Sequence, residues 1–130
     1  MPERNTPRPT DAELEILKVL WRRGPSTVRE VFESFGDTKT TGYTTVLKLM
    51  QIMADKGLVV RDESERAHRY EAAHAEEDMQ RRLVGDLLQK AFDGSAKKLV
   101  LQALSTKRAS AKELSEIRRM LDELERGKRR

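Results

Sequence analysis

The sequence predicts a mainly α-helical fold with one small β hairpin, on the strength of three observations. Three hydroxyl-x-x-Glu boxes, Thr10-Asp-Ala-Glu13, Thr27-Val-Arg-Glu30 and Ser110-Ala-Lys-Glu113, each precede a stretch of helical apolar spacing. In such a box the hydroxyl accepts an amide proton three residues on and the Glu reaches back, so each marks a helix start. Two short strand-like runs, Leu58-Val-Val-Arg61 and His68-Arg-Tyr-Glu-Ala72, flank a polar, charged tip, as a hairpin requires. From residue 75 onward the apolar period is helical throughout.

The first box opens a helix over 11–23 with Leu14, Leu17, Val19, Leu20 and Trp21 on its apolar face. Gly24-Pro25 closes it, because proline disfavours helical geometry in the residue before it. The second box starts a shorter helix with Val28, Val31, Phe32 and Phe35 inward, ended by Gly36-Asp37. Thr40 or Thr41 is expected to cap a third helix, in which Tyr43, Val46, Leu47, Leu49, Met50 and Met53 recur before Lys56-Gly57. Three helices followed by a hairpin is the order of a winged helix-turn-helix, assigned here to residues 1–74. In 75–130, Met79, Leu83, Leu87 and Ala91 are spaced by four, Phe92-Asp-Gly-Ser95 breaks the run, and a short apolar segment spans Leu99–Leu104. Leu114, Ile117, Leu121 and Leu124 then form a narrow seam of coiled-coil type. Short helices with little to cover them leave apolar area for association, so 75–130 is expected to be a helical dimerisation region, with Leu99, Leu101, Leu104 and the seam as contacts.

Composition bounds the function. With 130 residues, 37% hydrophobic, 37% charged and 5% aromatic, the chain is one small domain or two subdomains and not a large multidomain enzyme. The absence of cysteine excludes a disulfide framework, a thiolate zinc site and a cysteine nucleophile, and fits a reducing cytoplasm. No apolar run approaches the roughly 18 residues of a membrane span, and the N-terminal residues do not form a secretory signal. A soluble, cytoplasmic protein without membrane partners is expected. The net charge of +4 is unevenly placed: residues 1–74 hold twelve basic and twelve acidic side chains, 75–130 fourteen and ten. Most of the excess lies in Arg126-Gly-Lys-Arg-Arg130, either a tail that attracts nucleic acid or a solvated end.

The third helix carries the most information. Between Asp37 and Asp55 there is no acidic residue, while Thr38, Lys39, Thr40, Thr41, Tyr43, Thr44, Thr45 and Lys48 crowd its entrance. Threonine is a mediocre helix former, so packing does not account for the cluster, and the free amides of a first turn suit an anion. Thr44, Lys48, Gln51 and Asp55 share one face, with Thr41 and Thr45 beside them. Such a face is able to meet base edges in a major groove, Lys toward guanine, Gln toward adenine and a Thr methyl toward thymine. It is equally what an ordinary solvated helix face looks like. Arg61, Arg66, His68 and Arg69 around the hairpin tip, and Thr27 and Arg29 at the second helix start, are candidates for phosphate contacts. Asp62, Glu63 and Glu65 at the same tip, and a purely capping role for Thr27, argue the other way.

No catalytic constellation can be assembled. His68 and His74 lack metal-ligand spacing, there is no glycine-rich phosphate loop, since Gly85 and Gly94 are isolated, and no Ser stands in a nucleophile motif. Neither catalytic residues nor a metal or cofactor site is expected. The alternative to DNA binding is a protein-interaction module built on the same fold, favoured by the neutral N-terminal half and the acidic wing tip.

Pro9-Thr-Asp-Ala-Glu-Leu-Glu-Ile-Leu-Lys-Val-Leu-Trp21, Ser26-Thr-Val-Arg-Glu-Val31, Gly42-Tyr-Thr-Thr-Val46, Asp55-Lys-Gly-Leu58 and Arg66-Ala-His-Arg-Tyr70 resemble, in order and spacing, the BlaI/MecI penicillinase-repressor family over nearly all of 9–125. The resemblance implies an N-terminal winged helix, a C-terminal dimerisation region, repression through a palindromic operator, and release by proteolysis after a membrane-bound sensor signals. It places the recognition helix on Thr41–Lys56, with Tyr43, Thr44, Thr45 and Lys48 facing DNA, and the wing on Arg61–Tyr70. Ile52 stands where many members carry a basic residue. The family's cleaved Asn-Phe bond is matched by Gln102-Ala103, the candidate cleavage region for a regulatory protease. The family's copper-responsive branch uses C-terminal cysteines, which this chain lacks.

Overall fold

The computed structural model describes residues 8–36 and 41–128. Helix α1 (Asp11–Arg23) starts at Thr10, whose Oγ1 accepts from the Glu13 amide at 3.2 Å while Glu13 Oε1 accepts from the Thr10 amide at 2.9 Å. The same reciprocal pair, Thr27 with Glu30, opens α2 (Val28–Ser34). Both boxes thus satisfy two otherwise unpaired backbone donors each.

Helix α3 (Tyr43–Lys56) corrects the expected start. Gly42, in extended geometry, is the N-cap, no side chain caps it, and Thr41 lies in the bend before it. The Tyr43 ring explains the shift. It meets Phe32 edge-on at 5.7 Å and lies 4.8 Å from the Arg29 guanidinium, which fixes Tyr43 as the first helical residue. At the other end Gly57 adopts a left-handed φ of 84°, open to glycine at little cost, and turns the chain so that Leu58 is fully buried.

The wing is larger than a hairpin. Strands β2 (Val59–Asp62) and β3 (Arg69–Ala72) pair antiparallel, and β3 also pairs with β1 (Ser26–Thr27), giving the order β1-β3-β2 with Ser26 opposite Tyr70 and Thr27 opposite Arg69. Sequence periodicity cannot reveal a two-residue strand, so β1 was not expected.

The core is formed by Ile16, Leu17, Val19 and Leu20 of α1, Val28 and Val31 of α2, Val46, Met50 and Met53 of α3, Leu58 and Val59, Tyr70, and Met79. Met79 and the half-buried Leu83 belong to the first turns of α4 (Glu76–Phe92). Trp21 Nε1 donates to the His74 carbonyl at 2.9 Å, tying α1 to the chain that leaves the wing. A second tie joins the start of α1 to the end of α3: Lys56 Nζ donates to Glu13 Oε1 at 2.7 Å, the Glu13 side chain being 3% exposed and that of Lys56 24%. Burial works to raise the Glu13 pKa, but hydrogen bonds from Lys56 and the Thr10 amide outweigh it and hold the carboxyl below its ordinary value.

The described residues divide into two compact units, up to Val84 and from Gly85 on. Beyond α4, Asp93 and Gly94 turn with positive φ, and Ser95 Oγ accepts from the Lys98 amide to start α5 (Ala96–Thr106). Ser110 Oγ accepts from the Glu113 amide at 3.0 Å at the start of α6 (Ala111–Lys128). This is the hydroxyl half of the third expected box.

Candidate nucleic-acid interface

The winged helix turns one face of α3 outward because Val46, Met50 and Met53 anchor the opposite face in the core. On the outer face Thr44, Thr45, Lys48, Gln51 and Asp55 are exposed, and Ile52 is 37% exposed. The first turn has no acidic residue and its amides have no side-chain cap, so the helix entrance carries uncompensated partial positive charge. Lys39 and Thr40 lie outside the described residues.

Seven of the residues singled out from sequence, Thr27, Arg29, Tyr43, Gln51, Arg61, Arg66 and His68, line one concavity of about 620 Å³ between α2, α3 and the wing. Thr44, Thr45 and Lys48 do not line it; they are exposed on α3 itself. Glu30 and Glu33 line it too; in the sequence Glu30 stands out only as a capping residue.

Carboxylates hold most of the wing's cations. Arg61 Nε donates to Glu63 at 2.7 Å, and its contact with Tyr70 together with that carboxylate pushes its pKa up. Arg69 lies 3.3 Å from Glu30 and 3.8 Å from Glu65, while Arg23 approaches Glu30 at 3.9 Å. The Thr27 amide, then Arg69 and Arg23, outweigh desolvation and lower the Glu30 pKa, so its carboxyl stays ionised. At the tip the Ser64 amide lowers the Asp62 pKa. Arg66, by contrast, has no hydrogen bond or ion pair among the described residues. Thr27 Oγ1 accepts from the Glu30 amide, so the capping role weighed for it is present.

The surface expected for association lies in the second unit. Leu101 is 58% exposed, Leu121 56% and Leu124 69%; Leu114 is exposed, and Leu99, Leu104 and Ile117 are half-buried. Gln102 and Ala103 are exposed on α5, and the Gln102 carbonyl accepts from the Thr106 hydroxyl at 2.7 Å. No helix among the described residues is long and apolar enough to cross a membrane.

Against known proteins, the family model described as "Penicillinase repressor" matches residues 9–123. The transcriptional regulator BlaI of Mycobacterium tuberculosis is 36% identical over 118 residues, covering 90% of this chain and 85% of that one. The penicillinase repressor of Bacillus licheniformis is 26% identical over 117 residues, covering 90% and 91%. Among solved structures, the solution structure of the DNA binding domain of the repressor BlaI superposes with a TM-score of 0.50 at 27% identity, covering 56% of this chain and 89% of that one.

Proposed function

The chain belongs to the penicillinase repressor family, and from that premise we propose that it is a homodimeric, non-enzymatic repressor of transcription that acts in the cytoplasm on a palindromic operator. The observation that carries this reading is the outer face of α3, where Thr44, Thr45, Lys48 and Gln51 are exposed on a helix whose entrance has no acidic residue. These side chains read base edges in the major groove. Tyr43, Thr41 and the α3 entrance meet the phosphates beside it, as do Lys39 and Thr40 in the segment before it. Arg29 and Thr27 from α2, and Arg66 and His68 from the wing, make further backbone contacts, while Arg61 and Arg69 stand beside them against carboxylates. Among the wing cations Arg66 is the leading contact, because Arg61 and Arg69 already face carboxylates.

Two copies associate through Leu99, Leu101, Leu104, Leu114, Ile117, Leu121 and Leu124, so that two recognition helices enter half-sites one or two helical turns apart. Proteolysis between Gln102 and Ala103 by a regulatory protease separates α6, and with it the whole seam, from the winged helix. Release of the operator follows from loss of the dimer.

The test is a set of three substitutions read on two DNAs. Lys48→Ala and Thr45→Ala weaken binding to the operator, recovered by selection from a random library, by about 1–3 kcal/mol each, and affect random duplex less. Arg66→Ala weakens both DNAs alike and flattens the salt dependence. Equal effects of all three on both DNAs would remove α3 as the reader. The second reading, a protein-docking module, draws on the carboxylates that neutralise the wing; it predicts that duplex binding is absent or insensitive to salt.

A further inference from the structure

Half of the charged side chains in residues 1–74 are acidic, which is unusual company for a surface meant to meet phosphates. Most of the wing's acids lie beside its arginines, and one of the carboxylates involved stands on α2. Glu30 Oε1 receives the Thr27 amide at 2.9 Å and stands 3.3 Å from Arg69 Nη1, with Arg23 at 3.9 Å. Thr27 is also the residue opposite Arg69 in the β1–β3 ladder, so the backbone fixes the distance that the two side chains bridge. Glu30 lines the same concavity as Arg29, Arg61, Arg66 and His68, and Arg69 stands at its edge, next in sequence to the lining residues His68 and Tyr70.

We infer that Glu30 is a specificity-determining residue: by holding Arg69 in an ion pair beside the DNA-facing concavity, it withholds that cation from phosphates and keeps affinity for arbitrary sequences low. The inference rests on the DNA-binding reading above. Phosphate contacts contribute to operator and random DNA alike, whereas base contacts on α3 act only at the operator. A carboxylate that removes one phosphate contact therefore costs little in discrimination and lowers the competition from non-operator DNA, the quantity that limits a repressor in a genome. Its ionised state persists because the Thr27 amide and the two arginines favour the charged form.

Glu30→Gln is a clean test, because glutamine also serves at the third position of a capping box and preserves the start of α2. The full chain and its variants are titrated by fluorescence anisotropy, over a salt series, against random-sequence duplex and against the operator selected with the unmodified protein. In E30Q the affinity for random duplex rises about three- to tenfold near 0.1 M salt and the salt slope steepens by roughly one. Operator affinity rises by no more than that factor, so the ratio of the two falls or stays level. In E30Q/R69Q the gain on random duplex disappears. Glu65→Gln, on an exposed side chain whose loss does not threaten the fold, produces a smaller gain in the same direction. Unchanged random-duplex affinity and slope in both E30Q and E65Q would overturn the inference. So would a gain that survives in E30Q/R69Q, or a loss of operator binding alone, which would make Glu30 a positioning residue for the wing. If the unmodified protein binds neither DNA at any salt, the DNA-binding reading fails instead.

Discussion

Leu17 in α1 and Leu121 in α6 sit on helices introduced by the same kind of hydroxyl cap and patterned with the same kind of apolar stripe, yet Leu17 is 1% exposed and Leu121 56%. In the winged helix every stripe meets another: α1, α2 and α3 face each other and the sheet closes over them. In α5 no residue is buried, and Val100, Leu101, Leu114, Met120, Leu121 and Leu124 remain exposed. Helix caps and periodicity therefore establish that a helix forms, not what covers it. The first region contains its own core. The second has the pattern of one without the partner surface, which is the physical ground for the proposal that a second copy covers it.

The sharpest way to break this contrast is to make one substitution in both regions. Leu17→Ala leaves a cavity in a packed core and is expected to cost about 3 kcal/mol of unfolding free energy, read from the urea midpoint. Leu121→Ala is expected to leave the melting of the N-terminal region unchanged and to raise the dimer dissociation constant, read by sedimentation as a function of concentration. A second-unit leucine that behaves like Leu17 would mean that the exposed stripe is covered within one chain.

Truncation after Gly94 removes α5 and α6 but keeps every buried apolar residue among the described residues. The fragment is expected to fold, to be monomeric at micromolar concentration by light scattering, and to bind the operator at least about a hundredfold more weakly, because linkage of two reading helices raises effective concentration. A dimeric fragment, or one that binds as tightly as the whole chain, would move the association surface into the winged helix.

A smaller effect sharpens the picture inside the first region. Lys56→Met leaves the Glu13 carboxylate without its cation, at a cost of about 2 kcal/mol, set below that of a fully buried pair because Lys56 is partly exposed. The Glu13 pKa is lowered on folding from 4.5, so its contribution is complete above that value and is lost as pH falls through the depressed folded value. The difference between the variant and the unmodified chain should therefore be greatest near neutrality and shrink in acid, compared by urea titrations at the two pH values. A gap that stays constant across that range would show that the pair contributes packing rather than charge.

Much of this was legible in the sequence, and the limits have identifiable causes. The bounds of α1 followed from Thr10-x-x-Glu13 and Gly24-Pro25, which are local signals and agree with the observed Asp11–Arg23. The start of α3 is expected too early because Thr40 and Thr41 resemble caps, whereas Gly42 is the N-cap and Tyr43, held edge-on to Phe32 and under Arg29, is the first helical residue. Ile16, almost fully buried, was missed between two residues of the expected stripe. Glu13 and Lys56 were read as a cap and a helix end; their ion pair spans most of the winged helix and leaves no local trace. Seven candidate interface residues converge on one concavity, but the pairing of Arg69 with Glu30 depends on a strand contact that only tertiary structure supplies.

That contact, the two-residue strand β1, also bears on how the protein opens and closes. A lone two-stranded hairpin is marginal in water, and β1 supplies the third strand from a point far back in the chain. Because Thr27 both pairs with β3 and caps α2, the sheet is completed only once the helices have brought Ser26 and Thr27 into place, a long loop closure that follows local helix formation. The β3 amides that face β1 should then exchange with solvent deuterium only through global unfolding, not through local fraying of the wing, making Tyr70 and its neighbours reporters of the whole cooperative unit while the exposed tip, where the Ser64 amide is held only by its local bond to Asp62, exchanges by local opening.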